Sequence, residues 1–212
     1  MEKISAKKIF LAVLVILLVI IFGRFIVNLS FPEAGINLQK GAIIKLQPES
    51  SLQQKFTATR EGLSKVEFLL RSPGIAFEKN DRVEVEMADE TCQHSLRKGE
   101  LKSPFLASDN LYEFNFEKMT DSKDKTFCLV ATFKPTKSSA KAIQFFTLGE
   151  EVGQPLSLRP VYRNQNVWQN LNELDRRVSQ YKPWFLKHYF LLAISLLFII
   201  LSIASAVVLI IL

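Results

Sequence analysis

The stretch Arg82-Val83-Glu84-Val85-Glu86-Met87 alternates strictly between charged and apolar side chains. In an extended chain successive side chains point to opposite faces, so Val83, Val85 and Met87 share one face while Arg82, Glu84 and Glu86 share the other. Such a segment reads as a half-buried strand. The same period continues on both sides of it. Tyr112, Phe114 and Phe116 fall on one face of residues 111–116; Phe127, Leu129, Ala131 and Phe133 form another, and Val66, Phe68 and Leu70 a third. Shorter candidates are residues 42–46, 54–59, 91–97, 142–148 and 156–162.

That makes about nine short strands, punctuated by Ser72-Pro73-Gly74, Lys79-Asn80-Asp81, Asp121-Ser122-Lys123-Asp124 and similar turn clusters. No long helical pattern lies between them. Successive short strands without crossover helices predict an antiparallel two-sheet sandwich, all-β and jelly-roll-like, over residues 42–163. The chain carries 17 Phe, and Phe68, Phe114, Phe116, Phe127 and Phe133 stand on the inward positions just named. Each one buried stabilises the fold by about 1.5–3 kcal/mol.

The ends differ in kind. Residues 9–28 are apolar apart from Gly23, Arg24 and Asn28, and follow the basic start Lys3, Lys7, Lys8. Residues 189–212 hold no charge, Gly or Pro. A helix of about 20 apolar residues spans the roughly 30 Å hydrocarbon core of a bilayer. These runs predict two transmembrane helices flanking the sandwich: residues 1–8 a cytoplasmic N terminus, 9–28 an uncleaved signal anchor, 29–41 a linker and 184–212 the second span. Arg24, Trp184, Lys187 and Tyr189 then stand at the membrane interface. The N-terminal lysines predict both termini in the cytoplasm and the sandwich outside, in the cell (plasma or inner) membrane. Arg176, Arg177, Lys182 and Lys187, on the domain side of the second run, argue the other way.

Charge supports this reading over nucleic-acid binding. The net +6 of the chain is concentrated beside the apolar runs. Between Asn28 and Pro183 there are 22 Lys and Arg against 20 Asp and Glu, a net of +2, with no basic footprint. Within residues 164–182, Val167, Leu171, Leu174, Val178 and Tyr181 recur at spacings of four, three, four and three. This is an amphipathic helix ended by Pro183. Its stripe either docks on the sandwich or the membrane surface, or pairs two copies in a short coiled coil.

Chemistry is sparse. No Walker loop, nucleophile elbow, zinc-protease helix or dinucleotide fingerprint occurs, so no catalytic residue, cofactor or resident metal is expected. The two histidines, His94 and His188, are far apart in sequence and make no metal-ligand cluster. Cys92 and Cys128 suit either one disulfide or two core thiols. Asp109, Asp121 and Asp124 are loop carboxylates of the kind that hold calcium, and equally the ordinary residues of tight turns. Tyr112 and Tyr162 are the aromatic candidates for stacking on a sugar.

Three pieces carry a family likeness: Gln54-Lys55-Phe56 followed by Gly62-Leu63-Ser64-Lys65-Val66; Phe114-Asn115-Phe116 followed by Asp121-Ser122-Lys123; and Leu156-Ser157-Leu158-Arg159-Pro160-Val161-Tyr162. Together they resemble the extracytoplasmic β-sandwich, jelly-roll-like modules attached to membrane glycosyltransferases and related envelope proteins of bacteria and archaea. The resemblance implies the fold and an envelope setting, and carries over no catalytic residue. The expected function is that of a non-enzymatic, membrane-anchored envelope protein that binds a glycan or scaffolds an envelope glycosyltransferase, with the lipid bilayer as a further partner. The alternatives are an oligomeric regulator of surface-polymer assembly or chain length, and an envelope enzyme whose site the sequence does not reveal.

Overall fold

The computed structural model describes residues 6–71, 78, 80–102, 110–136, 142–151, 153–164, 166–179 and 190–211. They divide into two units, one made of residues 30–163 and the other of the two chain ends, 1–29 and 164–212.

The first unit is an antiparallel two-sheet sandwich of ten strands among the described residues: β1 (Phe31–Pro32), β2 (Ile43–Leu46), β3 (Ser51–Thr57), β4 (Leu63–Arg71), β5 (Arg82–Ala88), β6 (Ser95–Lys102), β7 (Asn110–Met119), β8 (Thr126–Lys134), β9 (Ile143–Phe146) and β10 (Leu158–Tyr162). One sheet runs β3-β8-β5-β6. The other runs β1-β10-β4-β9-β2, with β7 also paired to β4. Here β10 pairs with residues 63–68 of β4 and β9 with Leu70 and Arg71, while β7 pairs along residues 63–70. The strand β1 lies inside the span read as linker; Phe31 and Pro32 pair with Tyr162 and Val161.

The alternation in the sequence sets the core. Val83, Val85 and Met87 are fully buried, in one cluster with Phe127 and Phe133 of their own sheet and Phe68, Phe114 and Phe145 of the other. The strand expected over residues 91–97 instead begins at Ser95. The reason is a turn that the Asp89 carboxylate closes on itself, accepting from the Thr91 hydroxyl at 2.7 Å and from the backbone N–H groups of Gln93 and His94, each at 3.3 Å. Gly62 occupies a position no other residue fits. Its φ is +80°, and a Cβ there would stand 2.2 Å from the Arg163 carbonyl oxygen, since L side chains avoid the left-handed region.

The second unit holds α1 (Ala6–Val27), α2 (Val167–Ser179) and α3 (Phe190–Ile211), which pack pairwise on one another. The expected transmembrane spans are corrected here: among the described residues, no helix is long and apolar enough to cross a membrane. In α1, Lys7-Lys8 and Gly23-Arg24 bound an unbroken apolar run of only residues 9–22, about 21 Å at 1.5 Å per residue against roughly 30 Å of hydrocarbon. The two-pass topology, the signal anchor and the inner-membrane location fall with the spans. The described large apolar side chains of α1 and α3 nonetheless remain largely uncovered, Phe10 at 70 % and Ile200 at 60 % exposure.

The stripe of α2 makes contacts within its own unit. Leu171 is buried, Val167, Leu174 and Val178 half-buried, and the helix lies against α1 and α3 of its own unit. Asn166 caps it, its side-chain oxygen accepting from Trp168 N–H at 2.8 Å, as short polar residues do at helix starts. Fully buried Asn170 donates through Nδ2 to the Ile26 carbonyl at 2.7 Å, satisfying one of the carbonyls left open at the end of α1. Arg24 is exposed. Tyr181, Trp184, Lys187 and Tyr189 lie outside the described residues.

Candidate functional site

The sandwich has two ends, and the residues singled out in the sequence divide between them. At one end β3 leads into β4, β7 into β8 and β5 into β6. Here the Cys92 and Cys128 sulfurs are bonded, with the Cα atoms 5.3 Å apart. Cys128 is fully buried on the outer side of β8, opposite Ala88 of β5, so the bond holds the 89–94 turn against its own sheet. Asp89, Glu90, Asp121 and Asp124 line a basin of about 560 Å³ beside it. Among the described residues no three His, Cys, Asp or Glu side chains gather as a group that could hold a metal ion. Two of its carboxylates, those of Asp89 and Asp121, are already engaged. The Thr91 hydroxyl, helped by His94 and Gln93, holds Asp89 well below the usual carboxylate range. A hydrogen bond from the Lys125 ammonium lowers the pKa of Asp121. Asp124 sits at φ +59° in its turn, and its N–H donates to the Ala58 carbonyl at 2.7 Å. Asp109 lies outside the described residues.

Tyr162 belongs to the same end and is wholly enclosed. It has 0 % exposure, its hydroxyl accepts from Thr59 N–H at 3.1 Å, and the Arg60 guanidinium lies 5.8 Å from its ring centre. Burial pushes its hydroxyl up to about 12. It offers no face to a sugar.

At the other end β6 is the last strand of its sheet and β7 an edge of the opposite one, and the two meet. The approach is close because residue 99 is glycine: a Cβ there would stand 2.6 Å from Phe114 Cε2. Along this seam runs a cavity of about 510 Å³ bordered by Glu100, Lys102, Leu111, Tyr112, Glu113 and Asn115. A second, of about 460 Å³, adjoins it and shares Glu100 and Lys102, adding Asn80 and Arg82. Charges of both signs face each other along it. Glu100 lies 3.3 Å from Lys102 and 3.9 Å from Arg82; Glu113 lies 2.8 Å from Lys65 on the neighbouring strand. Leu111, 43 % exposed, gives the seam an apolar spot.

Tyr112 is placed where the alternation puts it, in the core and not on the surface. It is 5 % exposed, and its ring stacks at 20° on Phe68 with centres 6.3 Å apart. Its hydroxyl is buried without a hydrogen-bond partner among the described residues, and burial raises its pKa. Sequence reading named Tyr112 as a stacking ring; the structure makes the hydroxyl its distinguishing feature. Glu100, Lys102 and Arg82 were missed as site residues. They read as the solvent faces of alternating strands, and they do stay exposed there; what the sequence does not show is that they border cavities.

The fold thus defines the class of the central unit as an antiparallel two-sheet β-sandwich. No family model matches the chain, and no curated protein matches it. Among solved structures 22 chains match. One is TmCBM61 in complex with β-1,4-galactotriose, at 10 % identity over 57 % of this chain and 69 % of that one, with a TM-score of 0.32. A likeness of that size carries no argument about a site. None of these comparisons connects the chain with membrane glycosyltransferases.

Proposed function

We propose that the sandwich is a non-enzymatic glycan-binding module whose ligand lies in the groove between β6 and β7. The supporting observation is the pair of adjoining cavities, about 510 and 460 Å³, joined through Glu100 and Lys102. Each falls within the roughly 300–1,000 Å³ of small-ligand sites, and together they form an extended track suited to several sugar units in a row. Sugar hydroxyls both donate and accept, so they match a lining of carboxylate, ammonium, guanidinium and amide groups. The mixture of signs disfavours a polyanion, which would need an excess of Lys and Arg. Leu111 supplies a patch for the apolar face of a sugar ring.

The test is calorimetric titration of the full chain with neutral tri- to hexasaccharides, β-1,4-galactotriose among them. Saturable binding to at least one, with the saccharide recovered uncleaved and binding abolished by Glu100→Gln with Lys102→Met, is the expected result. If none of the panel binds, the reading fails. If the saccharide is cleaved, the non-enzymatic part of it fails.

A further inference from the structure

A buried polar group without a partner is uncommon and calls for a physical reason. In the sandwich unit the other buried hydroxyls near the ends of the strands are satisfied. Ser122 donates to the Arg60 carbonyl at 2.9 Å and accepts from Leu63 N–H at 3.1 Å; Tyr162 accepts from Thr59 N–H. Tyr112 differs, although phenylalanine would fill the same volume and stack on Phe68 equally well. Its hydroxyl is buried and unpaired among the described residues, and the residue borders the groove between β6 and β7.

We propose that the Tyr112 hydroxyl is the specificity-determining donor of this groove, reading a hydroxyl oxygen of a bound neutral saccharide. The inference rests on the glycan-binding reading and deepens it. Burial disfavours the phenolate, so the group keeps its proton through neutral and mildly alkaline pH and presents an O–H. The neighbouring Lys102 ammonium can only donate, so it cannot satisfy that O–H, and an incoming oxygen acceptor can. A site that holds a donor ready for one ligand oxygen rejects analogues lacking it far more strongly than a purely apolar site rejects a change of shape.

The experiment compares wild type with Tyr112→Phe, both as the full chain. Each is titrated with the tightest saccharide from the panel and with its set of monodeoxy analogues. The expected result has three parts. Tyr112→Phe weakens the parent saccharide about tenfold or more, a single strong hydrogen bond's worth. One monodeoxy analogue suffers a similar loss on wild type and no further loss on the variant. Without saccharide, the variant melts no lower than wild type. If wild type binds the saccharide and Tyr112→Phe binds it equally well, the inference is overturned and the glycan reading stands. A lower melting midpoint for the unliganded variant also overturns it, because the hydroxyl then has an internal partner. If wild type binds nothing in the panel, the glycan reading itself is lost and the inference with it.

Discussion

At one end of the sandwich the turns between β3 and β4 and between β7 and β8 are laced together. Ala58 N–H donates to the Lys125 carbonyl at 2.9 Å, Gly62 N–H to the Met119 carbonyl at 3.0 Å, and Arg163 N–H to the Gly62 carbonyl at 2.8 Å. Ser122 and Tyr162 fill the remaining needs, and the Cys92–Cys128 bond fastens the last turn. At the opposite end, β6 and β7 meet as two sheet edges with a polar groove between them; Tyr112 borders it, and its buried hydroxyl has no partner among the described residues. Both ends are made from the same strands. The difference teaches where buried hydroxyls find their partners: at the laced end those of Ser122 and Tyr162 are matched from within, whereas that of Tyr112 is not among the described residues.

The sharpest way to break that contrast is at the closed end. Opening the Cys92–Cys128 bond frees a loop 36 residues long, and chain-entropy arguments put the loss near 3–4 kcal/mol. Denaturant titration with and without a thiol reductant measures it; a Cys92→Ala, Cys128→Ala chain should match the reduced protein. A midpoint indifferent to reduction would show that this end is not fastened there. Gly62→Ala should cost about 3 kcal/mol, from a non-glycine residue forced to positive φ together with a Cβ meeting the Arg163 carbonyl. Circular dichroism melts would report it, and a loss under 1 kcal/mol would mean the turn relaxes freely.

The framework behind this contrast was largely legible in the amino-acid order. Strict alternation at Val83, Val85 and Met87, and again at Tyr112 and Phe114, specified which side chains enter the core, because burying one face permits only one register. Three features were not legible. The two-residue strand β1 has no period to detect, and it exists because Tyr162 and Val161 present a free edge. The 91–97 segment alternates passably, but the Asp89 carboxylate captures its backbone in a turn, a choice that only the three hydrogen bonds together explain. The apolar ends predicted membrane spans from run length, whereas among the described residues no helix is long and apolar enough to cross a membrane. The groove escaped notice because it belongs to no single segment: Glu100 and Glu113 stand on solvated faces, and only the meeting of two edges makes them neighbours of one cavity.

Tyr162 and Tyr112 allow a finer test with one chemical change. Tyr162→Phe removes the acceptor of Thr59 N–H and should cost about 1–2 kcal/mol. It should also alter the alkaline limb. Tyr162 is raised to about 12 in the folded chain, against about 10 for a free tyrosine. Its contribution is therefore complete below pH 10 and is lost as pH climbs through about 12, so stability must fall across that window. In Tyr162→Phe that fall should be shallower. An unchanged slope would assign the alkaline loss to other groups.

Tyr112→Phe gives the smallest effect, and its sign is the informative part. In the unliganded protein the hydroxyl has given up its water and gained no partner among the described residues. Deleting it removes a desolvation penalty while the ring keeps its stacking on Phe68. The expected outcome is a gain of about 1 kcal/mol, opposite in direction to Tyr162→Phe, read from denaturant midpoints with the slope unchanged. Two tyrosines of nearly equal burial would then answer the same substitution with opposite signs. A loss of similar size at both positions would make the two ends equivalent, and the groove would no longer be set apart by an unmet hydrogen bond.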